Sequence, residues 1–211
     1  MKIYESEIKD GLSGILSEKS GIACCAVAET YTPEESGKLK KLLADESTVA
    51  QNEDQIDLYY LKSILVSTGW NKNDDVFDPK ELWSAKDTPE DKPFNFMHNE
   101  KDIIGHITGN IVVDFEGVEV DYGTGEVPDA FNILTTSVIY TEWSDEDQRS
   151  RMQKIVSEIE DGKWFVSMEC LFPDFDYAMT APDGAIKVVK RSEASAFLTK
   201  HLRSYGGSGK Y

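Results

Sequence analysis

Cysteine is scarce: three residues in a chain of 211 make no disulfide framework. Cys24 and Cys25 are adjacent and Cys170 stands alone, so a stapled secreted scaffold is excluded and a reducing compartment is expected. Long apolar runs are missing too, and none reaches the roughly 18 residues of a membrane-spanning helix. The opening stretch from Met1 to Glu7 has no apolar core, so no secretory leader is expected there. Basic residues are few. Against 39 Asp and Glu stand 22 Lys and Arg, a formal net charge of −17. Such a field repels phosphate backbones and anionic lipid, so neither nucleic acid nor a membrane is an expected partner.

What the chain does have is enough apolar material for a core: 40% of its residues are hydrophobic and 10% are aromatic. A domain of this size needs no metal or disulfide to fold. The length fits a single domain over 1–211, with residues 1–20 and 204–211 read as candidate flexible tails. No internal repeat or low-complexity tract interrupts it.

Several helix starts are spelled out. Thr32-Pro33-Glu34-Glu35 combines a cap, a proline at the first position and early acids, predicting a helix to about Asp45. Ile56 to Val66, rich in Leu and Tyr, reads as a second helical pattern. Asp78-Pro79-Lys80-Glu81 opens a short capped helix. The clearest helix begins at Ser144, places Met152, Ile155, Val156 and Ile159 on one face, and stops near Gly162. Ser192 is expected to cap a last helix through His201.

Strand patterns lie between them. Phe94, Phe96 and His98 alternate on one face, and Ile103 to Phe115 and Ile133 to Tyr140 are β-rich. Trp164 to Phe172 is nearly continuous in apolar residues, the pattern of a strand covered on both sides. Ile186 to Val189 follows the Pro182-Asp183-Gly184 turn. Without a βαβ rhythm, the expectation is α+β with a largely antiparallel sheet or barrel.

Imidazole chemistry has few places to sit, since the only histidines are His98, His106 and His201. Ser167 lies inside the apolar run, where a hydroxyl without a partner costs about 1–3 kcal/mol. From pattern alone the plainer reading is a core serine bonded to a carbonyl. A zinc set of His98, His106 and Cys170 is poorly supported, because no second cysteine lies near Cys170. Cys170 as nucleophile is set against Ser167 by strand alternation: the two face opposite sides. Gly206-Gly207-Ser208-Gly209 lacks the spacing of a phosphate loop.

A longer pattern weighs against the plain reading. Thr68-Gly69-Trp70-Asn71, Glu81-Leu82-Trp83, Asn95-Phe96-Met97-His98-Asn99-Glu100 and Ile104-Gly105-His106-Ile107 occur in that order, followed by a helix and Val166-Ser167. This resembles the prohead core (capsid maturation) serine proteases of tailed phages over roughly residues 66–175. The resemblance implies a fold similar to herpesvirus assemblin: a compact, mostly antiparallel β-barrel flanked by helices. It implies a serine endopeptidase without cofactor or metal, with Ser167 as nucleophile and His98 as general base. Asp114 is the favoured orienting acid and Glu169 the alternative. Implied substrates are viral scaffold and major capsid proteins, with self-association in the prohead and a location in the host cytoplasm inside the assembling particle. Self-cleavage after Leu16-Ser17-Glu18, in a stretch expected to be an accessible loop, belongs to the same reading. The alternative is a catalytically inactive acidic scaffold or virion protein on the same fold. The strand with which relatives usually continue, ending near a Pro-Ala-like motif, has no counterpart before Tyr211.

Overall fold

The computed structural model describes residues 1–18, 21–29, 57–71, 74–120 and 125–211. The helix expected over residues 32–45 lies outside them, as do the side chains of Cys24 and Cys25. The elements in order are α1 (Glu5–Lys9), α2 (Ser13–Glu18), β1 (Gly21–Glu29), β2 (Leu58–Ser67), β3 (Gly69–Trp70), β4 (Val76–Phe77), α3 (Pro79–Ala85) and β5 (Pro93–Asn95). There follow β6 (Ile103–Val113), β7 (Asn132–Tyr140), α4 (Glu146–Glu160), β8 (Phe165–Leu171), β9 (Tyr177–Thr180) and β10 (Ile186–Val189). Two 3-10 segments, Ala196–His201 and Arg203–Tyr205, come last. No helix among the described residues is long and apolar enough to cross a membrane.

The class is mixed α and β, and every register observed is antiparallel. The chain divides into two compact units. One comprises Cys25–Thr68 and Phe77–Ser167. Its sheet has the order β5-β6-β7-β2-β1-β8, and no pairing closes β5 onto β8 among the described residues. Beneath the sheet lies a core of Leu61, Ile104, Ile139, Met152, Ile155, Ile159 and Val166.

Helix α4 closes that core for reasons written locally. Asp145 accepts from Gln148 N at 2.8 Å, Met152, Ile155 and Ile159 are buried on one face, and Gly162 takes a φ of 68° just past the end. The cap is Asp145 rather than Ser144. Helix α3 starts as the sequence predicts, with Asp78 accepting from Lys80 N and Glu81 N.

Strand β2 overturns the helical pattern expected over 56–66. It pairs with β7 from Leu58↔Tyr140 to Ser67↔Asn132. Being interior to the sheet, it buries Leu61, Lys62 and Ser63 in succession, so its sequence carries no period-2 signal. Gly105 lets β6 approach β7, since a Cβ there would run into the Val138 carbonyl. β8 corrects another expectation. Val166 is buried, but Phe165 is 63% and Leu171 76% exposed, so one face is open rather than both covered.

The other unit comprises Met1–Cys24, Gly69–Val76 and Met168–Tyr211. The fully buried Arg191 guanidinium donates from Nε to Glu7 Oε1 at 2.9 Å and from Nη2 to Glu7 Oε2 at 2.7 Å. Thr199 Oγ1 donates to the same Glu7, and Tyr4 and Phe175 flank the guanidinium. Both ends that read as candidate tails carry packed side chains. Leu12 and Leu16 are buried with Tyr205, and Tyr211 sets its ring against His201 and Phe197. The stretch through Leu16 and Ser17 is helical, not the loop expected for self-cleavage. The predicted Ser192–His201 helix is instead 3-10, with Ser195 Oγ bonded to Lys190 O and Ser192 N, local bonds that compete with helical ones.

Candidate active site

The alternation of Phe94, Phe96 and His98 does not continue as a strand: β5 ends at Asn95 and the chain reverses before Ile103. Asn99 N donates to Phe96 O at 3.1 Å. The two central residues of this turn, Met97 and His98, have φ of 54° and 57°. Positive φ at both central positions is the type I′ arrangement, which favours Gly, Asn and Asp. For Met and His it costs about 1–3 kcal/mol each, and such strain clusters at functional sites. The turn is closed by Phe96 N donating to Asp102 O (2.9 Å), Asp102 N to Asn99 O (2.9 Å) and Lys101 N to Asn99 Oδ1 (3.1 Å).

That conformation presents His98 to solvent with Nε2 2.8 Å from Ser167 Oγ. Ser167 is half-buried on the open face of β8, on the same parity as exposed Phe165. The two residues come from the two ends of the sheet order, His98 just after β5 and Ser167 on β8. Apolar contacts tie these ends together. Phe96 meets Trp164 edge-on with ring centroids 5.0 Å apart, and Phe94, Phe96 and Trp164 all pack on the core that contains Val166.

Chemically, the pair is a hydroxyl within proton-transfer reach of a base. In the tautomer protonated at Nδ1, Ser167 Oγ–H donates to Nε2, the orientation a nucleophilic serine requires.

The other sequence candidates separate from it. Asp114 follows the far end of β6, whose first residue pairs beside the His98 turn, about 30 Å away along the strand. Its carboxylate is engaged in a local turn, accepting from Glu116 N at 2.8 Å and Val118 N at 2.9 Å. The structure therefore does not bring Asp114 to His98: it follows the end of β6 opposite the His98 turn, with its carboxylate held in a turn of its own. Glu169 is exposed on β8, two residues beyond Ser167 and on the same strand face. His106 Nδ1 is bonded to Tyr140 OH at 2.8 Å, a structural use within β6 and β7. Cys170 has the opposite strand parity, and burial pushes its thiol pKa up, keeping it protonated and a poor nucleophile at neutral pH. Among the described residues no cluster of three or more His, Cys, Asp or Glu is arranged to hold a metal ion.

Sequence reasoning gave no role to Asp102 or Arg151. Arg151 reaches from α4 to Asp102 with two hydrogen bonds of 3.0 and 2.7 Å. Each reads alone as a surface charge, and no local pattern links positions so far apart in the chain.

No family model, curated protein or solved structure matches this chain. The site rests on its own geometry.

Proposed function

We propose that this chain is a serine endopeptidase of the kind found in phage prohead maturation. The observation that carries the reading is the 2.8 Å contact between His98 Nε2 and Ser167 Oγ, held by a strained turn on a solvent-facing surface. A hydroxyl resting in the core would have a carbonyl as its partner; this one has a solvent-exposed imidazole.

In the reaction, Ser167 Oγ attacks the carbonyl carbon of the scissile peptide while its proton passes to His98 Nε2. The tetrahedral intermediate collapses as the imidazolium returns that proton to the leaving amine, breaking the C–N bond and leaving an acyl-serine. Water, deprotonated by the same imidazole, then hydrolyses the ester and frees Ser167. Glu169, sharing Ser167's strand face, is the acid proposed to support the imidazolium.

The curled sheet of an assemblin-like barrel belongs to the same proposal. A contact between a side chain just after the first strand of the order and one on the last supports such a curl. Scaffold and major capsid proteins are the proposed substrates, within an assembling particle in the host cytoplasm. The exposed pair suits a macromolecular substrate, since a peptide segment can reach it without a lid opening.

The test is cleavage of co-expressed scaffold and capsid proteins by the full chain. Wild type and Cys170→Ala should cut, whereas Ser167→Ala and His98→Ala should not. Cleavage that survives Ser167→Ala sinks the reading.

A further inference from the structure

The strained turn needs something to hold it, and the hydrogen bonds within residues 96–102 are all local. Besides the His98–Ser167 bond and the Phe96–Trp164 ring contact, a further set of contacts reaches the turn from another element. Arg151, on α4, donates from Nη1 to Asp102 Oδ1 at 3.0 Å and from Nη2 to Asp102 Oδ2 at 2.7 Å, a fork-to-fork pair. The same guanidinium lies over the Phe96 ring, 4.9 Å from its centroid. Asp102 and Phe96 are the two residues that close the turn, through Phe96 N to Asp102 O. Arg151 thus grips both ends of the loop that carries Met97 and His98. It is itself anchored, because its neighbour Met152 is fully buried in the core.

We propose that Arg151 is a positioning residue for His98: by clamping Asp102 and Phe96 it holds the left-handed turn that keeps Nε2 within reach of Ser167 Oγ. This rests on the protease reading for its kinetic consequence, but not for its structural one. A lysine cannot replace the clamp, since an ammonium has neither the planar fork nor the flat face that covers the ring.

The experiment pairs kinetics with NMR of the His98 ring in the full-length protein, comparing wild type, Arg151→Met, Arg151→Lys and Asp102→Asn. Lys163→Met, which removes the exposed Lys163–Asp161 pair, is the control. Arg151→Met and Asp102→Asn should each move the His98 ring resonances and lower kcat by about 100-fold at nearly unchanged KM, the scale of a misplacement near 1 Å. Arg151→Lys should recover less than about tenfold of that loss, and the Arg151→Met/Asp102→Asn double variant should be no worse than either single. Lys163→Met should leave the resonances and the rate alone.

Folded Arg151→Met with wild-type His98 resonances overturns the inference, whatever its rate. If Arg151→Met does not fold, Asp102→Asn and Arg151→Lys give the same two readouts. A wild-type chain that cuts nothing, with His98 resonances that move in Arg151→Met, ends the protease reading and leaves the positioning role standing. Normal cleavage with unmoved resonances does the reverse.

Discussion

His98 and Ser167 are 69 residues apart in the chain, yet Nε2 and Oγ are separated by 2.8 Å. Neither is delivered by a common element. His98 stands in a turn after β5, Ser167 on β8, and the Phe96–Trp164 contact at 5.0 Å binds the segments that carry them. Weakening that aromatic contact should separate the pair without touching either member. Phe96→Ala is expected to cost about 3–5 kcal/mol at most, less for a partly buried ring, and to reduce cleavage beyond the loss of folded protein. Urea denaturation alongside peptide hydrolysis checks both.

His98, in its turn, and His106, on β6, should behave differently. His106 serves Tyr140, so His106→Ala removes a structural hydrogen bond worth about 1 kcal/mol and leaves most of the rate. His98→Ala abolishes it. Equal losses in two folded variants would contradict the assignment.

Between the acids the expectation now favours one. Asp114→Asn should disturb only its local turn and be silent in rate. Glu169→Gln should lower kcat, by up to about 10⁴-fold if it supports the imidazolium as a triad acid does, with little change in KM. Silence in both variants would leave a Ser-His dyad.

Cys170 should be slow to react. Burial raises its thiol pKa, so the thiolate fraction is smaller than that of free cysteine at any pH below that raised value. Iodoacetamide labelling of the Cys170 peptide, followed by mass spectrometry, should lag free cysteine at pH 8 and gain as pH rises past 9. Rapid labelling at pH 7 would reopen the cysteine hydrolase reading.

At the other unit, loss of residues 1–18, by cleavage or truncation, removes Glu7 from a fully buried Arg191. Breaking such a pair costs about 3–5 kcal/mol, and for a chain of this size that lowers Tm by roughly 10 °C. Glu7→Gln should show much of the same shift by calorimetry. A truncated chain as stable as the intact one would show that the Arg191–Asp174 contact suffices.

Features that depend on neighbours along the chain were legible in the order of residues. Asp145, the Met152-Ile155-Ile159 face and Gly162 specify α4, because capping and helical periodicity act within a few turns. Asp78-Pro79 does the same for α3, and the runs at 103–113, 132–140 and 186–189 carry enough β-branched residues to declare strands. Ser167 and His98 stood out through their resemblance to a known pattern. Tertiary structure decided the rest. Whether 58–67 is helix or strand turns on burial of both faces beside β7, which local periodicity does not encode. The left-handed turn at Met97-His98 opposes local preference and survives because distant partners hold it. Asp114 and Asp102 look alike as carboxylates in the sequence. One lies at the far end of β6 and the other in the grip of Arg151, and only the run of the strand separates them.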